Sequence, residues 1–201
     1  MGEKFVNYQI RFESQHEVVK IVETITGNLA YISPSKNGWI TVYDLTSEVF
    51  NDNYIRYFTE RISSHLSTVV LAFIVNRGIN FVYLLYDCGK IIDEFDNDIA
   101  EEILEAKDSN NKFYGDSKKL FKYCTASTYL DEVNTFLESC RYKNKEYLGQ
   151  DAIYQLAPLL GIDKNRATIG YSYFEDNNLY IDTEFYIEEA EEFLLVRSNS
   201  I

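Results

Sequence analysis

The chain has 201 residues, of which 46% are hydrophobic and 25% charged, a balance that is typical of a folded globular protein and excludes a disordered or collagen-like chain. Its net charge of −13 argues against binding to a nucleic-acid backbone, because contacts with phosphates depend on clustered Lys and Arg. The three cysteines are widely spaced and form no C-x-x-C motif, so a disulfide framework is not expected.

No apolar leader segment follows the first residues, and the longest apolar runs lie at 69–75 and 81–86. Both runs are far shorter than the ~20 residues that a membrane-spanning helix requires. We therefore expect a cytoplasmic protein that does not bind membranes and that folds alone or as a homo-oligomer.

The first part of the chain alternates predicted strands and helices. Residues 5–12 alternate between apolar and polar side chains, which predicts a half-buried strand. Ser14 and Glu17 form a capping box at the start of a helix, and Gly27-Asn28 marks its end. Two short strands at 29–32 and 39–43 form a predicted hairpin, and a helix over 51–66 follows, capped by Asn51 or Asp52.

Residues 67–98 predict a three-stranded antiparallel meander. Strands are expected near 68–75, 79–86 and 90–95, since the two short gaps between them each contain a glycine that can adopt the positive φ of a hairpin turn. The first two strands are apolar on both faces. Such strands belong in the centre of a sheet that is covered by helices on both sides, or by helices on one side and a partner on the other.

After residue 98 the pattern becomes mostly helical. Helices are predicted over 99–106, 128–140 and 146–160, the last one bent or interrupted by Pro158 and ended by a Schellman motif at Gly161. A strand is expected over 168–174 with a return strand over 179–181. The excess of Glu favours a helix over 183–196.

Together these elements predict an α+β fold. We expect a mainly antiparallel sheet built from two strand/helix/strand units in residues 1–98, and a mostly helical region in residues 99–201 with a late strand pair. The second region is expected to pack on the first as one compact unit.

The acidic residues after the third meander strand invite a metal-site or catalytic interpretation. Asp93, Glu94, Asp96 and Asp98 loosely match a calcium-binding loop, but Asp98 occupies the position at which an EF-hand needs glycine. A glycosidase needs two carboxyl groups across a cleft, and neighbours along one strand do not indicate a cleft. A solvated acidic strand end that leads into a helix is the favoured interpretation.

Other familiar chemistries lack their residues. His16 and His65 form no H-x-x-x-H pair, and Cys88 is the only thiol in a turn where exposure is expected. The chain has no G-x-S-x-G, G-x-G-x-x-G or P-loop motif. We therefore assign no catalytic residue, no cofactor and no metal from the sequence.

The segment 86–96 reads Tyr-Asp-Cys-Gly-Lys-Ile-Ile-Asp-Glu-Phe-Asp, and 37–43 reads Asn-Gly-Trp-Ile-Thr-Val-Tyr. With the Leu-Leu-Gly-Ile sequence at 159–162, this pattern resembles a group of uncharacterised bacterial proteins. The resemblance implies a bacterial, Gram-positive-type, cytosolic origin. No activity is established for that group, so the resemblance implies no catalytic residues.

The distribution of charge gives the main functional hypothesis. Residues 93–105 contain seven acids and no base, and residues 175–192 contain eight acids and no base. We expect a non-enzymatic interaction protein, immunity-type as one form, whose acidic surface meets a basic protein partner. The candidate partner-binding residues are Asp93, Glu94, Asp96, Asp98, Glu101 and Trp39.

The alternative hypothesis is an enzyme or a small-ligand-binding protein with a pocket between the sheet and the C-terminal helices. A deep pocket that holds two convergent carboxyl groups of raised pKa would favour this alternative. A flat acidic surface would favour the interaction protein.

Overall fold

A computed structural model describes residues 4–98, 113–141, 147–175 and 192–199 of the chain. These residues form an α+β structure around a seven-stranded antiparallel sheet, which confirms the predicted fold class. The strands are β1 (Phe5–Ile10), β2 (Leu29–Ile32), β3 (Ile40–Asp44), β4 (Val69–Asn76), β5 (Asn80–Asp87), β6 (Lys90–Asp96) and β7 (Leu194–Arg197). The helices are α1 (Gln15–Ile25), α2 (Asp52–Leu66), α3 (Ser117–Phe121), α4 (Leu130–Arg141), α5 (Gly149–Leu160), α6 (Lys164–Ala167) and α7 (Ser172–Glu175).

The strand order in the sheet is β6-β5-β4-β1-β3-β2-β7. β1 is the central strand, because it pairs with β3 on one side and with β4 on the other, so that Tyr8 lies between Val42 and Ala72. The β2–β3 hairpin and the β4–β5–β6 meander are both present as predicted. The two strand-rich units therefore share a single sheet through β1.

Local signals set the element boundaries in the first half. The Ser14 hydroxyl accepts a hydrogen bond from the Glu17 amide at the start of α1, and Asn51 caps α2 in the same way. In the two-residue β5–β6 turn, Cys88 and Gly89 both have positive φ values of 48° and 77°. This is the backbone geometry of the hairpin turn that the glycine predicted.

A Schellman motif ends α5, as predicted. Gly161 has a φ of 75°, its amide donates to the Pro158 oxygen, and the Ile162 amide donates to the Ala157 oxygen at 2.9 Å. Ile162 is buried in the same apolar cluster as α5, so the motif also fixes the direction in which the chain leaves the helix.

Helices cover both faces of the sheet. On one face, α1 and α2 pack against β1 side chains that include Val6, Tyr8 and Ile10. On the other face, α4 and α5 pack against β4 side chains that include Leu71 and Phe73. This arrangement confirms that the double-faced apolar strands lie in the centre of a covered sheet.

Burial on both faces also corrects the prediction for β1. Asn7 and Gln9 were assigned to a solvent-exposed side of a half-buried strand, but all six residues of β1 are buried. Asn7 donates to the oxygens of Ala167 and Ile169, both at 2.8 Å, and Gln9 donates to Asn7. The polar residues of β1 thus bind the segment after α5 to the sheet.

Two predictions in the second half are wrong. The strand predicted over 168–174 is absent from the described residues. The chain continues there from helix α6, which Asp163 caps, into the helical turn α7, and the Tyr171 amide donates to the distant Glu48 carboxylate. The helix predicted over 183–196 is wrong at its end, where Leu194–Arg197 forms strand β7 paired with β2, and residues 183–191 lie outside the described residues. The helix predicted over 99–106 and the return strand over 179–181 lie outside the described residues.

Candidate functional site

The acidic segment of β6 is largely internal. Asp93 and Glu94 are only 6% and 4% exposed, and they point to opposite faces of the sheet. The expectation that both side chains lie at a surface edge is therefore wrong. Although β6 is the last strand of the sheet, α2 covers one of its faces, α3 packs on the other, and residues 113–115 form backbone hydrogen bonds with its outer edge.

The Asp93 carboxylate is held by two hydrogen bonds within the chain. It accepts one from the Tyr83 hydroxyl at 2.7 Å and one from the Asp116 amide at 2.9 Å. Burial raises the pKa of Asp93, and these hydrogen bonds only partly offset that effect. Gly115 permits the close approach, since a Cβ there would lie 2.8 Å from the Tyr83 hydroxyl oxygen. Asp93 thus fixes the 113–116 segment against β6.

Glu94 serves the opposite face of the sheet. Its carboxylate forms an ion pair at 2.7 Å with Arg56 of α2, and Arg56 also pairs with Asp52 at 2.8 Å. A nearly buried carboxylate needs such a counter-charge, because an unpaired charge in the interior costs several kcal/mol or more. Glu94 therefore ties α2 to β6.

Trp39 is also internal, at 4% exposure. Its indole N–H donates to the Leu160 oxygen at 3.0 Å, and the Arg11 guanidinium lies 5.9 Å from the ring centre. The last carbonyls of a helix lack intrahelical donors, and the indole supplies one at the end of α5. This burial corrects the expectation that Trp39 offers a contact surface.

Asp96 and Asp98 are the predicted site residues that keep solvent access, the first half-buried and the second exposed. The Asn80 side-chain amide donates to both carboxylates, at 3.3 Å and 2.8 Å, and holds them together beside the β4–β5 turn. Glu101, the remaining predicted acid, lies outside the described residues. Partner contact by Asp96 and Asp98 remains a prediction.

A further buried carboxyl group, which the sequence did not single out, lies at the end of β3. Asp44 accepts hydrogen bonds from the Thr26 hydroxyl at 2.6 Å and from both the amide and the hydroxyl of Ser47 at 2.8 and 2.7 Å. Burial raises the pKa of Asp44 as it does that of Asp93. The strands β3 and β6 are four strand spacings apart, about 19 Å, so these two carboxyl groups do not converge.

A buried arginine was likewise missed. Arg166 of α6 is 2% exposed, and its guanidinium donates to the Pro34 oxygen at 2.7 Å and to the Ser33 hydroxyl at 3.3 Å. Nothing in the local sequence distinguishes this arginine from a surface residue, because its acceptors lie in the distant β2–β3 connection. It positions α6 against that connection.

The described residues give little support to metal binding or to thiol chemistry. The described residues contain no group of three or more His, Cys, Asp or Glu side chains placed to hold a metal ion. Cys88 is exposed, but its hydrogen bond to Asp87 raises the pKa of the thiol, which opposes formation of the nucleophilic thiolate. In the same part of the chain, no helix is long and apolar enough to cross a membrane.

A groove of about 460 Å³ lies between α4 and α5. Its apolar lining is provided by Phe136, Tyr147 and Leu159, and its acidic edge by Asp131 and Glu132. Thr135, Ser139 and Gln155 complete the lining. Asp131, Thr135 and Ser139 recur every four residues, so the sequence of α4 places them on one face of the helix. The sequence does not show that apolar residues of α5 lie beside this face.

A second groove, of about 580 Å³, lies between the start of α1 and the β2–β3 connection. Its lining includes Arg11, Glu13, Glu17 and Asn37, so charges of both signs face it. This mixture gives the second groove no preference for a partner of one sign.

Comparisons of the chain with protein-family models, with curated proteins and with solved structures found no match in any of the three. The function proposed below therefore depends on the sequence and structure of this chain alone.

Proposed function

We propose that this chain is a non-enzymatic cytoplasmic interaction protein that uses an acidic surface to bind a basic protein partner, an immunity-type role being one form of this function. The observation that carries the proposal is the uncompensated negative charge on α4 and α5. Exposed carboxylates there belong to Asp131, Glu132, Glu138 and Asp151.

These carboxylates form no ion pair within the described part of the chain. The only basic residue of either helix is Arg141, at the end of α4. Its guanidinium donates to the oxygens of Tyr114 and Gly115 and lies 3.8 Å from the Tyr114 ring centre. Arg141 is thus directed toward the chain itself and does not pair with these carboxylates.

The buried carboxyl groups support the same proposal, because their contacts are structural. Burial raises the pKa of Asp44 and of Asp93, and Glu94 is nearly buried, but each of the three carboxyl groups holds two segments of the fold together. Charge on α4 and α5, by contrast, is available to steer a partner. Complementary fields accelerate association and make it sensitive to salt.

The test is affinity capture from a bacterial host at about 50 mM and about 300 mM salt, followed by measurement of the dissociation constant with each purified candidate. We expect a basic protein to bind at low salt and to be released at high salt. The variant Asp131→Asn/Glu138→Gln should bind more weakly, whereas the matched control Glu17→Gln/Glu60→Gln, which removes the same charge from α1 and α2, should bind as the wild type does. Failure to retain any basic protein at low salt would overturn the proposal.

A further inference from the structure

We infer that the groove between α4 and α5 is the docking site for a basic amphipathic helix of the protein partner. This inference rests on the proposed function and names the surface and the partner element that carry it out. Three features of the groove support it: its shape, the chemistry of its lining and the sign of the charge along its edge.

The lining of the groove combines an apolar floor with polar walls. Phe136 is nearly buried and belongs to the main apolar cluster under α4 and α5, against which Tyr147 and Leu159 pack. Side chains anchored in the core in this way form a stable floor, because they are held in place from below. A volume of about 460 Å³ accommodates two or three aliphatic side chains of a partner.

The charge along the edge of the groove determines which sign of charge a bound segment should carry. Asp131 and Glu132 line the groove, and Glu138 and Asp151 lie on the same two helices outside its lining. Because the described residues that line the groove include two acids and no base, a segment with Lys or Arg beside its apolar residues is complementary to it. An acidic segment would be repelled.

The shape of the groove favours a helix as the occupant. Both walls are helices of 12 residues, each about 18 Å long, and the furrow between two packed helices accepts the ridge of a third. An extended peptide would gain main-chain hydrogen bonds only at a free strand edge, and α4 and α5 offer none. The expected partner helix has apolar residues at i, i+3, i+4 and i+7 and basic residues flanking them.

The test uses two labelled 14-residue peptides and fluorescence anisotropy at low salt. One peptide consists of Lys and Leu, with Leu at helical spacing, and the other has Ser in place of every Leu and therefore the same charge. We expect the Leu-containing peptide to bind at least about tenfold more tightly, because its apolar side chains enter the groove.

Three variants locate the binding. Thr135→Trp fills the groove without a change in charge, and should weaken the Leu-containing peptide about tenfold while leaving the Ser-containing peptide unaffected. Asp131→Lys places a cation on the edge of the groove and should weaken the Leu-containing peptide about fivefold. Glu60→Lys makes the same change in charge on α2, away from the groove, and should weaken the Leu-containing peptide no more than about twofold. Circular dichroism checks that all three variants stay folded.

Equal binding of the two peptides, equal effects of Asp131→Lys and Glu60→Lys, or no effect of Thr135→Trp would each overturn the groove as the docking site without contradicting the proposed function. If neither peptide binds at low salt, the docking site fails, and the proposed function fails with it only if affinity capture also retains no basic protein.

Discussion

Replacing Trp39 with phenylalanine tests whether this side chain joins the β2–β3 connection to α5 or serves a partner. The substitution removes the hydrogen bond to the Leu160 oxygen, and a buried acceptor left without its donor costs about 1–3 kcal/mol. The smaller ring also leaves unfilled volume, which adds about 1–2 kcal/mol. We therefore expect the free energy of unfolding to fall by about 2–5 kcal/mol.

Urea unfolding followed by circular dichroism measures this loss. With a slope of about 2 kcal/mol per M, the midpoint should fall by about 1–2.5 M. Tyr57→Phe, at an exposed position of α2, provides a matched control and should leave the midpoint unchanged. Because Trp39 is the only tryptophan of the chain, quenching of the wild-type fluorescence by acrylamide also reports its burial. An unchanged midpoint for Trp39→Phe, or ready quenching, would refute the reasoning.

Three further predictions concern the internal contacts. Burial raises the pKa of Asp93 in the folded state, so its contribution to stability is full below the unfolded pKa of about 3.9 and is lost as the pH rises through the folded pKa. In thermal unfolding, the stability of the wild type relative to Asp93→Asn should therefore fall between about pH 3 and about pH 8. A stability difference that does not change with pH would contradict this. Arg56→Met should cost about 1–3 kcal/mol by leaving Glu94 without its cation, and Arg56→Met/Glu94→Leu should recover most of this in denaturant unfolding. Gly149→Ala should lower the thermal midpoint by several degrees, because Gly149 has a φ of 48° and an added Cβ would lie 2.4 Å from the Gly78 oxygen. An unchanged midpoint would mean that this close approach is not rigid.

The local elements of the first half could be predicted because their signals are local. The strand alternation, the caps at Ser14 and Asn51 and the positive φ at Gly89 each depend on a few neighbouring residues. The position of β1 between β3 and β4 could not be predicted, because it is set by pairing between residues that are far apart in the chain. The same limit explains residues 168–174, whose aromatic content favours a strand until the carboxylate of Glu48 binds the Tyr171 amide.

The acids that the sequence named for partner binding lie within residues 93–101, and none of them is on α4 or α5. Net acidity led to the expectation of a basic partner, and that expectation remains a proposal. The density of acids in β6 did not reveal that Asp93 would meet Tyr83 or that Glu94 would meet Arg56, since both contacts require the sheet and its covering helices to be assembled. The α4–α5 groove likewise depends on how two separate helices pack.

The pairing of β2 with β7 has a consequence for synthesis of the protein. Leu29 pairs with Arg197, so one edge of β2 has no neighbour until residues 194–197 have left the ribosome. At 5–20 residues per second this takes roughly 8–30 s after β3 is complete, long enough for the open edge to meet other nascent chains. We therefore expect the β2 edge to be the part of the newly made chain that most needs a chaperone, and the arrival of β7 to end that need.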